Sequence, residues 1–434
     1  MIKDIYNFTL SLCGDLFISR RLPAKWDEKL IEISDLLQKH DCKFGNLETA
    51  ILKKNEGYPE LFPGGGYAMA EPGCLVDLKA IGFNLFNTAT NHAMDYSHNG
   101  LLKTIHYLQQ VDIPFAGTGA NLSEAVAPTF FECTSGRIAL IGVTASFHDS
   151  YAAGPQNQDM IGRPGVAPLR HKSVYEVDQK NYDDLYRIVE QTNINSYYNM
   201  GVQTGYLLAS PNLKIGQYEF KKGKTNKLHT TPDAEDLERT INSIKDAKIQ
   251  ADFVIISIHS HQFREQNRKL TPEFIKMFAH SCIDAGADII VCHGPHLLRG
   301  IECYNNGIIF HGLGNFIFQH EQQKVVPEEF YKKYGTSRQT STGVGGVNNI
   351  RSKDGKVGLV ASHDEWRSAI FSLECSNAGI NVIIHPVEIS KSTGLPFLST
   401  DNSILHELNQ LSGEWEVCLD IDEEKHFGRL RISY

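Results

Sequence analysis

A chain of 434 residues, 41% hydrophobic and 21% charged, has room for one large domain with insertions or for two domains. Its net charge of −9 and the absence of any long Lys/Arg run argue against a general nucleic-acid surface, so no nucleic-acid partner is expected. An anionic ligand would need local positive charge, from a metal or a few arginines. Nine cysteines without a CxxC pair argue against a disulfide framework and for a reducing compartment. No window approaches the roughly 18 apolar residues that span a bilayer, and the N-terminus lacks an apolar leader core. The expected setting is cytoplasmic, with no membrane anchor visible.

The first residues read as a short lead-in to a buried strand over residues 7–12. Residues 25–39 carry Trp26, Leu30, Ile33, Leu36 and Leu37 at helical spacing. A short strand over 42–47 follows, then a Gly/Pro-rich loop over 62–67 and a helix from Pro72 to Lys79 that Gly82 stops. Residues 84–90 form the next strand, and Leu101, Leu102, Ile105 and Leu108 stripe the helix after it. Residues 113–116 and 137–143 are strands. Repeated strand–helix–strand units imply a largely parallel sheet with helices on its faces. The stretch from about 150 to 235, rich in Asn, Gln, Tyr and Lys, reads as an insertion or cap. The α/β pattern resumes with a helix over 232–249, strand 253–258, helix 272–285 and strand 288–292, then strands 307–310 and 315–318. Residues 321–365 read as loop-rich, with a second glycine cluster, and are expected to join the insertion in a lid. Antiparallel strands at 369–373 and 382–384 and a helix over 402–411 complete the tail.

Six segments end in residues that bind metals or move protons: SLCGD, KFGNLE, NTATNHAMD, IISIHSH, VCHGPH and GLGNF. Loops converge at the carboxyl edge of an α/β sheet, and carboxylates, amides and imidazoles gathered there suit a divalent cation. Asp15 follows Gly14 at the end of the first strand, and Glu48 ends the second, two residues after Asn46. Asn91 and His92 end a strand, suited to bind metal and to present a proton donor, with Asp95 close behind; the plainer reading of these residues is a helix cap. His259 and His261 flank Ser260, so both rings face one way on an extended backbone, and a Gly-Pro turn brings His293 and His296 together. At least one of the pairs His259/His261 and His293/His296 is expected at a metal, with Asp15 (otherwise a solvated loop residue), Glu48 (otherwise turn chemistry) and Asn91 as candidate ligands, His92 and Asp95 for proton transfer, and His261 for the substrate pocket. Arg163 and Arg299 are suited to clamp a carboxylate or phosphate, or to surface ion pairs. Neither glycine cluster has a phosphate-loop context, and no GxSxG nucleophile motif occurs.

Six pieces, in order, resemble the capsule-synthesis CapA family, also described as poly-γ-glutamate synthesis or PGA-cap proteins: CGDLFISR, FGNLETAI, NTATNHAMDYSHNGLLKTIHYL, AGTGANLSEAVAP, DFVIISIHSH and AGADIIVCHGPHLLRGIECYNNGIIFHGLGNFIF. The resemblance spans roughly residues 8 to 320. It implies kinship with calcineurin-like metallophosphoesterases: a four-layer α-β-β-α sandwich with an inserted cap and a metal centre on the loop edge. By that kinship Asp15, Asn91, His259, His293 and His296 fall on metal-ligand positions, and His92 on that of the acid that protonates the leaving group. Phe17 stands where those enzymes have a His, and Asn46 where they have a bridging Asp. A neutral amide bridges two dications poorly, so one tightly held metal, or a site shifted onto Glu48, is implied. The chain also reads HSH where many members have His-Trp-Gly. The expected domain covers residues 1–320, with 321–434 completing it. The expected cofactor is one or two divalent ions, most naturally Mn, Fe or Zn. The expected function is hydrolysis, by metal-activated water, of an amide in a glutamate-like or poly-γ-glutamate-related compound. Its partner is then a small-molecule, peptide or polyglutamate-type acidic substrate. A metallophosphoesterase and a non-catalytic binder of anionic polymer are the alternatives.

Overall fold

The computed structural model describes residues 7–358 and 361–433, so the lead-in at residues 1–6 lies outside it. The fold is mixed α/β. Its first strand, Asn7–Phe17, runs past the apolar stretch that marks it in the sequence. Phe8, Leu10 and Leu12 alternate onto one face, while Cys13 and Leu16 belong to the core on the other. The strand pairs parallel with Cys42–Asn46 and antiparallel with Arg367–Ser376. Past a register shift at Asp15 it pairs parallel with Asn315–Phe318. That change of partner brings two backbones very close. The Asp15 N–H donates to the Gly314 carbonyl at 2.9 Å, and a Cβ on Gly14 would stand 2.0 Å from that same oxygen. Only glycine fits at position 14.

Among the described residues one sheet has ten strands and a second has six. In the second, Phe253–His259 lies between Gly136–Thr144 and Ile289–His293, all parallel. Ile138, Leu140, Phe253, Ile255, Ile289 and Val291 meet Phe8, Leu10, Phe44 and Phe371 in one apolar cluster between the sheets. The alternate residues Ile141, Val254, Ile256, Ile258 and Ile290 pack on the helices Ala234–Gln250 and Glu273–Asp284. Across the larger sheet, Leu30, Ile33 and Leu37 of Glu28–Gln38 and Leu75 and Leu78 of Gly73–Ile81 fill a separate cluster. Strands buried on both faces read as continuous apolar runs, which is how they stand in the sequence. Each fully buried large side chain stabilises the fold by about 1.5–3 kcal/mol. Phe253, packed edge-on to Phe8 at 5.2 Å, is worth about 3–5 kcal/mol against alanine.

Strands Arg367–Ser376, Gly379–Ile389 and Phe427–Ser433 continue the larger sheet, so the tail is part of it. The sequence pattern misses the last of these and also Thr129–Cys133 and Leu298–Tyr304. The insertion is more ordered than a cap of loops. His171–Val177, Leu213–Ile215, Tyr218–Lys222 and Lys227–Pro232 form a sheet of their own, with helices Gln179–Thr192 and Ser196–Gln203. Residues 321–365 also depart from expectation: Glu328–Lys333 and Gly343–Arg351 are helices. A glycine-rich helix has poor intrinsic propensity, and burial of Val344 and Val347 is what holds it. All nine cysteines are free thiols. Among the described residues no helix is long and apolar enough to cross a membrane.

Candidate metal centre

Parallel register lines the strand ends up in two polar rows. In the larger sheet Asp15 pairs with Asn46, and Asn46 with Asn87. In the other, Thr144 pairs with His259, and His259 with His293. Glu48 stands two residues beyond its strand, and His92 and Asp95 lie on the turn that follows Leu85–Asn87. His296 follows the Gly294-Pro295 turn with φ +59°, a left-handed backbone uncommon outside glycine and a form of strain that collects at working sites.

These residues converge on Glu48. His259, His261 and His296 each place Nε2 3.6 Å from Glu48 Oε1, and His92 Nε2 lies 4.0 Å from the same atom. Asp15 lies alongside, with Oδ2 3.2 Å from His296 Nδ1 and Oδ1 3.5 Å from His293 Nδ1. Two groups of possible ligands share Glu48: Glu48 with His259 and His261, and Asp15 with Glu48 and His296. Asn46 is fully engaged. Its Nδ2 donates to Asp15 Oδ1 at 2.8 Å and lies 3.1 Å from His259 Nδ1, while its Oδ1 accepts from Asn87 at 2.6 Å. The central carboxylate is therefore Glu48, and Asn46 positions its neighbours.

Both Glu48 oxygens, Nε2 of His259 and His261, both His293 nitrogens and Asn91 Oδ1 are buried without a hydrogen-bond partner. A buried carboxylate left so is penalised by several kcal/mol. Burial pushes the Glu48 carboxyl well above the carboxylate range, against the pull of the His296 charge. Burial also holds His259 at about 3, His293 at about 4 and His261 well below the usual imidazole range. Burial opposes a proton on His296 too, but the Glu48 charge and the Asp15 contact overcome it, raising His296 to about 10. Burial would raise Asp15, yet His296 holds it at about 2. The unpartnered ring nitrogens of His261 and His293, both rings kept neutral by burial, stand with an unpartnered carboxyl in a donor set that fits a divalent cation.

His92 is held in place by Asp95. Its Nδ1 lies 2.6 Å from Asp95 Oδ2, and Asp95 accepts the Ala68 and Gly64 N–H groups at 2.7 and 2.8 Å. Asn91 donates to the Gly64 carbonyl at 2.6 Å. His92, His261 and His296 open onto a cavity of about 440 Å³, walled also by Phe17, Phe318, His320 and Arg268 and by Asn348 and Arg351 of the second helix of the 321–365 segment.

Two expected substrate residues stand elsewhere. Arg299 is buried and donates to the carbonyls of Arg268 and Gln262 at 2.8 and 3.0 Å, bracing the loop after the His259 strand. Arg163 donates to the Ala152 carbonyl at 3.0 Å and does not line the cavity. Nor does the 150–235 insertion line it; of the two segments expected in a lid, only 321–365 reaches it. Three residues without a sequence assignment support the centre. Asn315 Oδ1 lies 2.9 Å from His296 Nδ1, its Nδ2 donates to the Glu365 carbonyl at 2.9 Å, and Glu365 pairs with Arg268 at 2.5 Å. The GLGNF segment flagged the strand that carries Asn315, but nothing local marks Glu365 or Arg268.

A model of the family described as bacterial capsule synthesis protein PGA_cap matches residues 9–320, and the chain belongs to that family. It is 29% identical to the uncharacterized protein y4sH of Sinorhizobium fredii over 98% of this chain and 93% of that one. It is 24% identical to the capsule biosynthesis protein CapA of Bacillus anthracis over 73% of this chain and 61% of that one. With the PGA biosynthesis protein CapA of Bacillus subtilis it shares 26% identity over 60% of this chain and 50% of that protein.

Proposed function

We propose that this PGA_cap family chain is a metal-dependent hydrolase that cleaves an amide of a glutamate-like or poly-γ-glutamate-related compound. The observation that carries the reading is Glu48: buried, with both oxygens unpartnered and three imidazole Nε2 atoms 3.6 Å from one of them. Asp15, Glu48, His259, His261 and His296 would hold one or two ions of the Mn, Fe or Zn type, with Asn91 and His293 at the margin. His261 thus moves from the substrate pocket to the ligand set. A divalent ion there supplies a Lewis acid and a water of lowered pKa. His92, oriented by Asp95, gives its proton to the leaving group from Nε2, the ring atom that faces Glu48. The pairing of two sheets between helices supports a four-layer sandwich of the calcineurin-like kind. The tail strands in the larger sheet support a single domain with an insertion. The amide is preferred because the Bacillus subtilis relative is named for PGA, whose backbone links are amides.

The test is metal analysis of the purified chain followed by a screen of γ-glutamyl amides against phosphoesters. Stoichiometric Mn, Fe or Zn with amide turnover is expected. Turnover of phosphoesters alone would replace the substrate assignment, and a chain that binds none of these ions would end the hydrolase reading.

A further inference from the structure

The second glycine cluster, STGVGGVNN, has no role in the metal centre, yet it builds the wall of the cavity that faces it. Gly343 sits at φ +60°, and a Cβ there would stand 2.3 Å from the Gln323 carbonyl oxygen. The Val344 N–H donates to that same oxygen at 2.9 Å. The helix Gly343–Arg351 is thereby seated against the turn at His320–Gln322, with Val344 and Val347 buried beneath it. Asn348 and Arg351, three residues apart and so on one helix face, both line the cavity.

Of the two arginines that line it, Arg268 is neutralised by Glu365. Arg351 is exposed and forms no ion pair among the described residues; its guanidinium carbon lies 5.2 Å from the Tyr334 ring centroid. Asn348 donates from Nδ2 to His320 Nδ1 at 3.3 Å, which leaves the proton of a neutral ring on Nε2. Burial holds that ring neutral, down to about 3. The cavity thus presents an uncommitted guanidinium and a fixed N–H donor opposite a cluster built for a cation, in a chain whose net charge is −9.

We propose that the Gly343–Arg351 helix is the substrate-recognition element, in which Arg351 binds a free carboxylate of the substrate and His320 donates from Nε2 to a neighbouring oxygen. This rests on the hydrolase reading for the bond cleaved, but not for the anion bound. Planar guanidinium suits a carboxylate bidentately, and the residue that supplies it is Arg351 rather than Arg163 or Arg299.

The test uses the metal-loaded full chain, γ-glutamyl-p-nitroanilide, and the same anilide with its α-carboxylate converted to a carboxamide. R351A is expected to raise the ratio of the acid's KM to the amide's KM about 10–100-fold, the range of one charge-assisted contact. R351K, which keeps the charge without the fork, should recover part of it. Equal shifts for both probes, or none, overturn the proposal. Calorimetric binding of tri-γ-glutamate to the same proteins separates it from the hydrolase reading. Binding by the parent chain that R351A weakens at least tenfold supports Arg351 even if neither anilide is cleaved. Equal binding by both proteins, or none by the parent chain, overturns it. An unchanged thermal midpoint for R351A excludes misfolding.

Discussion

Where one wall of the cavity is lined by the loops that follow parallel strands, another is lined by a nine-residue helix held by glycine contacts and two buried valines. The strand-end wall is rigid, buried and polar, with its side chains fixed by neighbours on both sheets. The helix wall has little intrinsic stability, and its two polar lining residues depend on one seat against the His320–Gln322 turn. Under the proposed function the two would do different work: the first would hold charges in place for chemistry, the second would read what enters. The 150–235 insertion is a third kind of region, folded on its own sheet and outside the cavity, with Tyr197 89% and Leu208 94% exposed.

The comparison is broken most severely at Glu48. Glu48→Gln should lower metal affinity by more than the roughly 10–100-fold that outer-shell changes cause, and turnover should fall with it. The metal-free variant should melt no lower than the metal-free parent, because burial already favours the uncharged form of Glu48, whose shape glutamine keeps. Chelation should then lower the midpoint of the parent but not of the variant. Elemental analysis and a thermal scan read both, and a variant that keeps its metal removes Glu48 from the ligand set.

His92→Gln should leave metal content intact while turnover falls about 10²–10⁴-fold, the span of a lost general acid. Single-turnover kinetics on the metal-loaded variant test this, and loss of metal instead would make His92 a ligand. On the helix wall, Gly343→Ala should displace the helix, since its Cβ has no room beside Gln323 and its φ is positive. We expect about 1–3 kcal/mol of lost stability, a raised KM and unchanged metal content. A variant with its KM intact would show that the seat is not needed. The smallest effect is expected in the insertion. Tyr197→Asp should change stability by no more than about 0.5 kcal/mol and leave turnover as it was, and a large kinetic effect would tie the insertion to the site.

The cluster around Glu48 was legible because its residues end apolar strands. Asp15, Glu48, Asn91, His92, His259 and His296 all follow runs whose burial is written in their composition, and all meet at one edge. Arg299 misled for the same reason: it follows the HGPH turn, but it lies on a strand of its own whose side chains go into the core. Asn46 was recognised as an amide in a carboxylate's place, but its grip on Asp15 and His259 is a contact between sheets that no local pattern carries. Arg351, His320, Asn315 and Glu365 were not assigned roles, because Asn315 and Glu365 depend on partners, and Arg351 and His320 on a place in the cavity wall, that only the packed chain brings about.

By itself the sequence determined the alternation of strands and helices, the burial of the central strands and the chemistry gathered at their ends. These follow from periods of two and 3.6 residues and from the cost of burying unpaired polar groups. Tertiary structure decided which acid stands at the centre, which arginine faces the cavity and which segment walls it. Those choices are set by register across two sheets and by close backbone approaches at Gly14 and Gly343, where a Cβ would stand 2.0 and 2.3 Å from a carbonyl oxygen, and both join residues well separated in the chain.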